Sequence, residues 1–492
     1  MTSGSLPPKL SIERLAAAGG AVAATRVFDL VASYLFYLLV ARAVSTSDFG
    51  RLVVALTVAQ AAAVATRLGL DIAVMRRAAE ATASAEERIG RVVGRAVAVA
   101  GLLSAAAVGA IAAGIFVVPQ FAHYRGAFAG ANRWVLFAIP VLAAAPIVIA
   151  ALRGRGEIAH AAIAESVLQP SVALIMAAVA LGGGGGAFAS AALVVSTLAT
   201  LIYALARLHR AGALRRGAAA DGLIALGARV AALNALNALA NAADVVVLAR
   251  FANPALVALY AAALKLGRAL VLTGEATLVA VGPAIPHLLR HQTSEHLGVA
   301  YRTIVRWNTL LTAPAALLFI AIPERILSLF GRGFAGGAPL LRIHALTFAV
   351  FVFAGPVKSV LVMSGKERLL TRNAALHLAI TTALLLALVP GYLATGAAAA
   401  LLAATVIQRT LLVIHVGRGL GIQPIGARNA FVFLSFVSAA AASMLLLPFG
   451  RIIAAGASLL LFAIAAASSR FDAHDRDVVR GLLGIVRRPV RL

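Results

Sequence analysis

Leu39-Val40-Ala41-Arg42-Ala43, a short polar turn and Asp48-Phe49-Gly50-Arg51-Leu52 close one apolar segment and open the next. The pattern returns as Val247-Leu248-Ala249-Arg250-Phe251, a short turn and Ala258-Leu259-Tyr260-Ala261-Ala262. Arg125-Gly126-Ala127-Phe128-Ala129-Gly130 resembles Arg332-Gly333-Phe334-Ala335-Gly336-Gly337, and Arg153-Gly154-Arg155-Gly156-Glu157 resembles Ser364-Gly365-Lys366-Glu367. The offsets are 208 from Arg42 to Arg250, 207 from Arg125 to Arg332 and 211 from Gly154 to Gly365. An Ala-rich chain matches itself easily, but three polar matches in one order at nearly one offset indicate a duplication. In a membrane protein, duplicated halves point to a transporter, because two similar halves can rock around one central site.

The composition places the chain in a membrane. Of 492 residues, 62% are hydrophobic and 12% charged, against about 25% charged in a soluble domain; the mean hydropathy is +0.97. Cysteine is absent, which excludes disulfides, thiolate metal sites and thiol nucleophiles. The net charge of +25 does not indicate nucleic acid, because the charges sit in short loops between apolar runs and build no basic face. The ten histidines show no metal-ligand spacing, and His287, His291 and His296 share one loop. Gly331–Gly337 lacks the Lys-Ser/Thr of a phosphate loop. No dyad or triad of catalytic residues is present, so the chain is expected not to be an enzyme and to need no cofactor.

About 20 apolar residues cross a bilayer, and that ruler predicts fourteen spans, running from 19–41 and 50–68 through 225–249, 256–284 and 340–363 to 430–447 and 452–469. The expected fold is an all-α polytopic membrane protein. Loops alternate between rich and poor in Arg and Lys. The rich set holds Arg76, Arg77, Arg88 and Arg91, then Arg153 and Arg155, then Arg207, Arg210, Arg215 and Arg216, with both termini. By the positive-inside rule these face the cytoplasm, giving N-in and C-in. Six spans separate the first from its counterpart, the seventh, so the halves run in the same direction as parallel six-helix repeats. The expected division is residues 1–210 and 211–420 as two lobes, 421–470 as two accessory helices and 471–492 as a basic tail at the inner leaflet. The Gly182–Gly186 run is expected to be a flexible outer loop. Arg42 and Arg250 fall at the outer mouth as interface anchors.

Polar residues inside spans mark function more often than packing, because a mid-bilayer charge costs at least about 2.5–3.5 kcal/mol. In the first span Arg26, Asp29, Ser33 and Tyr37 share one helical face. In the seventh, Asn234, Asn237, Asn241 and Asp244 do the same, and in the eighth Lys265, Arg268 and Glu275. Lys358 and Arg409 are isolated within the tenth and twelfth spans. These are the candidate cavity residues. The competing reading is helix–helix glue for the Asn stripe, worth about 0.6 kcal/mol per bond, and snorkelling to the interface for Arg26.

Arg26-Val27-Phe28-Asp29, Leu39-Val40-Ala41-Arg42, Asp48-Phe49-Gly50, Thr66-Arg67-Leu68-Gly69-Leu70-Asp71 and Arg76-Arg77 resemble the opening of bacterial Wzx-type polysaccharide flippases. That family belongs to the superfamily that also holds the multidrug (MATE) transporters and the lipid II flippases. Asp244 to Tyr260 and Phe330-Gly331 to Leu341 resemble its second half. The turn before Asp48 departs from the family's usual Gly-Pro form, having Ser45-Thr46-Ser47. The resemblance implies two six-helix lobes in a V-shaped bundle, alternating access, and transfer of an undecaprenyl-pyrophosphate-linked oligosaccharide between leaflets of the cytoplasmic membrane. Arg26, Lys265, Arg268, Lys358 and Arg409 are then expected to meet the pyrophosphate, and Asp29 and Asp244 to carry a coupling Na⁺ or H⁺. A polysaccharide polymerase or glycosyltransferases are the expected partners. The alternatives are a lipid II flippase, a cation-coupled drug extruder and a non-transporting scaffold of a polysaccharide assembly complex.

Overall fold

The computed structural model describes residues 12–83, 88–215, 221–274, 294–422 and 425–468. The described chain is helical, with no strand among the described residues. The first half comprises α1 (Ile12–Ala43), α2 (Thr46–Thr66), α3 (Leu70–Ala83), α4 (Gly90–Val117) and α5 (Trp134–Gly154). It continues with α6 (Ile158–Ile163), α7 (Gln169–Val179) and α8 (Gly185–Arg210). The second half comprises α9 (Leu223–Phe251), α10 (Pro254–Ala269), α11 (Ser294–Ala321), the short α12 (Pro323–Leu327), α13 (Ala338–Phe353), α14 (Val357–Met363) and α15 (Glu367–Leu420). Two more helices follow, α16 (Ala427–Leu446) and α17 (Arg451–Ser468).

The repeat is visible in how the helices begin. Ser45 Oγ accepts from the Asp48 N–H at 3.1 Å and starts α2. Asn253 Oδ1 accepts from the Leu256 N–H at 2.8 Å and starts α10, with Pro254 in its first turn. Side-chain acceptors at this position satisfy a helix's otherwise unpaired first-turn N–H groups, and both caps lie three residues after the arginine of the repeated motif. α4 and α11 have the same length, 28 residues each. After α5 and after α14 the chain turns on a glycine of positive φ, Gly156 at 79° and Gly365 at 71°. That pairing brings the third match to an offset of 209, closer to the other two than the alignment through Gly154.

Among the described residues eleven helices are long and apolar enough to cross a membrane, a count that does not confirm the fourteen expected spans. Two of the eleven, Ile158–Arg210 and Arg368–Gly419, are 53 and 52 residues long. At 1.5 Å per residue a straight helix of that length would reach about 80 Å, far beyond a bilayer. Each instead reverses inside, at Gly183 (φ 122°) and at Leu393 (φ 48°). The Gly182–Gly186 run is therefore a tight reversal between α7 and α8, which pack together, and not the expected loop. The expected span 340–363 is interrupted at Gly355 and Pro356, which separate α13 from α14. Proline lacks an N–H and crowds the residue before it, so the helix stops there.

α5 is the centre of the first half, packed against α2, α3, α4 and α8. Its interior Pro140 and Pro146 are accommodated among these neighbours. α9 and α15 pack extensively in the second half. α16 and α17 pack on each other and on α11, outside the contacts that join the halves. Buried positions are dominated by alanine. Small side chains let helix backbones approach closely where lipid supplies no hydrophobic drive for association. Glu275, His287, His291 and the tail from Arg470 lie outside the described residues, as do the side chains of Arg26 and His296.

Candidate functional site: a polar cavity between the halves

α1, α2 and α7 from the first half meet α9 and α10 from the second around a cavity of about 600 Å³. Each helix contributes one face at three- and four-residue spacing. α1 supplies Asp29, Ser33, Phe36 and Tyr37; α2 supplies Val53, Thr57, Gln60 and Val64. The turn into α7 supplies Glu165, and α7 itself Gln169 and Ala173. α9 contributes Asn241, Ala242 and Val245, and α10 Leu264, Lys265 and Arg268.

Lys265 is held by aromatic faces. Its Nζ lies 4.3 Å from the Tyr37 ring centroid and 5.3 Å from that of Tyr34. The Tyr34 hydroxyl donates to the Lys265 carbonyl at 2.6 Å, tying α1 to α10 across the two halves. A ring's negative face stabilises a cation at this distance by about 0.5–2 kcal/mol as desolvation increases. The charges of Asp29 and Arg268 both act on Lys265. Arg268 is exposed to the cavity. The second acid of the wall, Glu165, is paired with Arg153 at the end of α5. Asp29 also lines the wall, and its charge acts on Lys265 across the two halves.

The sequence-derived candidates separate on this geometry. Asp29, Ser33, Tyr37, Asn241, Lys265 and Arg268 share the cavity. Asn234 and Asn237 are not in its wall; the Asn237 side chain donates to the Leu233 carbonyl at 2.8 Å, within its own helix. Asp244 is 1% exposed and turned into the protein behind Val245. It accepts from the Tyr260 hydroxyl and from the Val245 N–H, both at 2.8 Å. The Tyr260 ring meets His344 edge-on, 5.0 Å between centroids. Lys358 and Arg409 lie elsewhere in the second half, outside the cavity. The polar wall residues not anticipated are Thr57, Gln60, Glu165, Gln169 and, from α8, Ser196. Glu165 and Gln169 stand four residues apart within an apolar run, a spacing readable in the sequence.

The sequence motifs join the helices on either side of the cavity. At one end a Cβ on Gly50 would sit 1.8 Å from the Pro254 carbonyl oxygen, so α2 and α10 touch backbone to backbone. Phe49 stacks edge-on against Phe334 at 5.6 Å, and Arg42 donates to the Leu329 carbonyl at 2.8 Å. Arg42 is therefore a tie between the halves and not only an interface anchor. The Tyr124 hydroxyl donates to the Val246 carbonyl at 2.9 Å at this same end. At the other end Gly69 (φ 66°) packs on Gly227, where a Cβ would meet the Gly227 carbonyl oxygen at 2.5 Å. The Arg67–Asp71 ion pair spans that turn at 3.5 Å, and Arg77 donates to the Asp221 carbonyl at 2.8 Å.

A polar cavity between two repeated helical halves is the arrangement of a multi-pass membrane transporter. The sequence matches the family described as polysaccharide biosynthesis protein over residues 39–336, and the chain belongs to that family. No curated protein sequence matches it. Among solved structures it resembles a lipid II flippase, MurJ, in an inward closed conformation, with a TM-score of 0.71 and 10% identity, covering 93% of this chain and 99% of that one. It also resembles an inward-facing multidrug resistance MATE transporter of the MOP superfamily, with a TM-score of 0.66 and 12% identity over 81% of this chain and 98% of that one. An outward-facing MATE transporter matches with a TM-score of 0.55 and 13% identity, over 82% and 95% of the two chains.

Proposed function

We propose that the protein flips a polyprenyl-pyrophosphate-linked oligosaccharide from the inner to the outer leaflet of the bacterial cytoplasmic membrane for polysaccharide biosynthesis. The observation that carries this is the cavity between the halves, where Lys265 and Arg268 stand with Asp29, with Glu165 (paired to Arg153) and with uncharged hydrogen-bonding side chains. Pyrophosphate is the costliest part of such a lipid to move through hydrocarbon, because an unpaired anion there loses its hydration. Lys265 and Arg268 offset that loss by charge-assisted bonds. Ser33, Thr57, Gln60, Gln169 and Asn241 suit sugar hydroxyls, each able to donate or accept. The polyprenyl tail stays in lipid. The volume falls in the range of about 300–1,000 Å³ typical of small-ligand sites, so a headgroup with a few sugars fits the closed form.

Residues 1–210 and 211–420 act as the two lobes in this reading, with 421–470 as an accessory pair, N-in and C-in. Alternating access requires one seal to open while the other holds. Asp29, beside Lys265 in the cavity, and Asp244, with its Tyr260 bond, are the candidate carriers of a coupling Na⁺ or H⁺. Glycosyltransferases must supply the substrate and a polymerase consume it, since the cargo is a finished lipid-linked oligosaccharide. A cation-coupled drug extruder calls for an acidic cavity, whereas Lys265 and Arg268 outweigh Asp29 here. A lipid II flippase needs the same cavity chemistry and differs only in its cargo.

Deleting the gene separates these readings. The expected result is loss of surface polysaccharide, with its lipid-linked precursor accumulating on the cytoplasmic leaflet while cell-wall synthesis continues. Accumulation of lipid II with normal surface polysaccharide contradicts the proposal, as does drug hypersensitivity with normal polysaccharide.

A further inference from the structure

Arg409 is 4% exposed, deep in the second half, and its Nε and Nη2 are buried with no hydrogen-bond partner. These two nitrogens form one edge of the guanidinium, the edge that grips an acceptor from the side. The ring of Phe351 lies 3.4 Å from Cζ and covers a face of the group. The in-plane edge is thus the part of Arg409 left to bind something.

Further polar groups converge on it. The charge of Arg409 acts on Lys358, His377 and Tyr301, and that of Lys358 also on His377. His377 Nδ1 and Thr381 Oγ1 are likewise buried without a hydrogen-bond partner, one turn apart on α15. Four elements build the cluster: α11 brings Tyr301, α13 Phe351, α14 Lys358, and the two arms of α15 bring His377 and Arg409. His377 and Arg409 stand sixteen residues before and after the reversal at Leu393, which sets them at one depth, roughly 24 Å from the turn at 1.5 Å per residue. None of these side chains lines the central cavity.

No carboxylate is placed to neutralise the cluster from its own helices. From α11 to α17 the acids are Glu295, Glu324 and Glu367, all at or beside helix ends. Arginine and lysine only donate, and a buried charge needs a partner. The missing member is therefore an acceptor carrying negative charge. Its enclosure favours a small inorganic ion over a lipid headgroup.

We propose that the second half of the chain holds a small-anion site of the chloride class, bound by the free edge of Arg409 together with Lys358, His377 and Thr381. The bound anion offsets part of the cluster's positive charge and holds α14 and both arms of α15 together. The site is separate from the central cavity and does not depend on which lipid is flipped.

The test uses the purified full-length protein in detergent, melted in sodium gluconate and in sodium chloride or bromide, with equilibrium retention of radiolabelled chloride. The expected result is a rise in melting temperature of about 3 °C or more at saturating chloride, with labelled chloride retained. Arg409→Gln removes both the shift and the retention, and Lys265→Gln in the central cavity removes neither. Where Arg409→Gln fails to fold, Lys358→Gln takes its place beside the wild-type measurement. Equal melting in gluconate and chloride with no retained label overturns the proposal. So does a shift lost with Lys265→Gln but kept with Arg409→Gln, or one produced only by inorganic phosphate or anionic lipid.

Discussion

Replacing Lys265 and Arg268 together by glutamine abolishes surface polysaccharide while the protein remains in the membrane at wild-type abundance. Both side chains line the cavity. Lys265 lies over the Tyr37 ring and Arg268 is exposed to the cavity, which places both charges where cargo would meet them. A hydrogen bond to a charged group contributes about 1.5–3 kcal/mol, or roughly 10- to 150-fold in binding. Losing two weakens cargo binding by roughly a hundredfold or more. Quantitative immunoblotting of the polymer, with the membrane abundance of the variant measured in parallel, checks this. A double variant that restores a deletion strain to wild-type polymer removes the cationic cavity from the mechanism.

Gly50→Leu has the second large expected effect, more than tenfold in transport. The α2–α10 contact leaves no room for a side chain, since the first added carbon already overlaps the Pro254 carbonyl. The substituted helices must separate at that end, and a transporter that cannot close one seal cannot alternate. The absence of cysteine gives a clean background for a paired-cysteine readout. Thr46→Cys with Gly333→Cys reports the same end, where a Cβ at Gly333 would stand 3.3 Å from the Thr46 hydroxyl. Cross-linking of this pair is expected to fall several-fold when Gly50→Leu is added, with unchanged abundance. Equal cross-linking and full transport would show that this contact is not a seal.

The motifs that carry the family resemblance acquire a physical meaning from these contacts. Asp48-Phe49-Gly50 joins the helices on one side of the cavity and Arg67-Leu68-Gly69-Leu70-Asp71 on the other. Their short, degenerate form follows from the task, because a backbone-to-backbone contact needs a glycine and a cap more than a long signature. The repeat was legible for the same reason. The Arg42 and Arg250 turns end matched helices, and the side-chain caps at Ser45 and Asn253 start the next ones.

Helical periodicity placed Asp29, Ser33 and Tyr37 on one face and Lys265 with Arg268 on another, and these faces meet. It did not reveal what covers a face. Asp244 sits only three residues from Asn241 yet points to Tyr260 and not into the cavity. Lys358 and Arg409 have the charge expected of cavity cations but belong to a cluster built by the fold of α15 on itself. The break itself was legible, since Pro390-Gly391 just before Leu393 is a turn signal in an apolar run; which side chains it brings together was not. The reversal at Gly183 was legible in the same way, from five consecutive glycines, but their tight geometry was not, since such a run reads equally well as a loose loop.

The central claim is movement of a lipid-linked sugar across the bilayer, and leaflet-resolved labelling tests it most directly. Purified protein is reconstituted in vesicles carrying a polyprenyl-pyrophosphate-linked oligosaccharide, and an impermeant sugar-reactive probe reports the outer-leaflet fraction over time. The expected result is exchange with the wild-type protein and none above protein-free vesicles with Lys265→Gln/Arg268→Gln. Equal rates in wild-type and protein-free vesicles, or a double variant as fast as wild type, would contradict it.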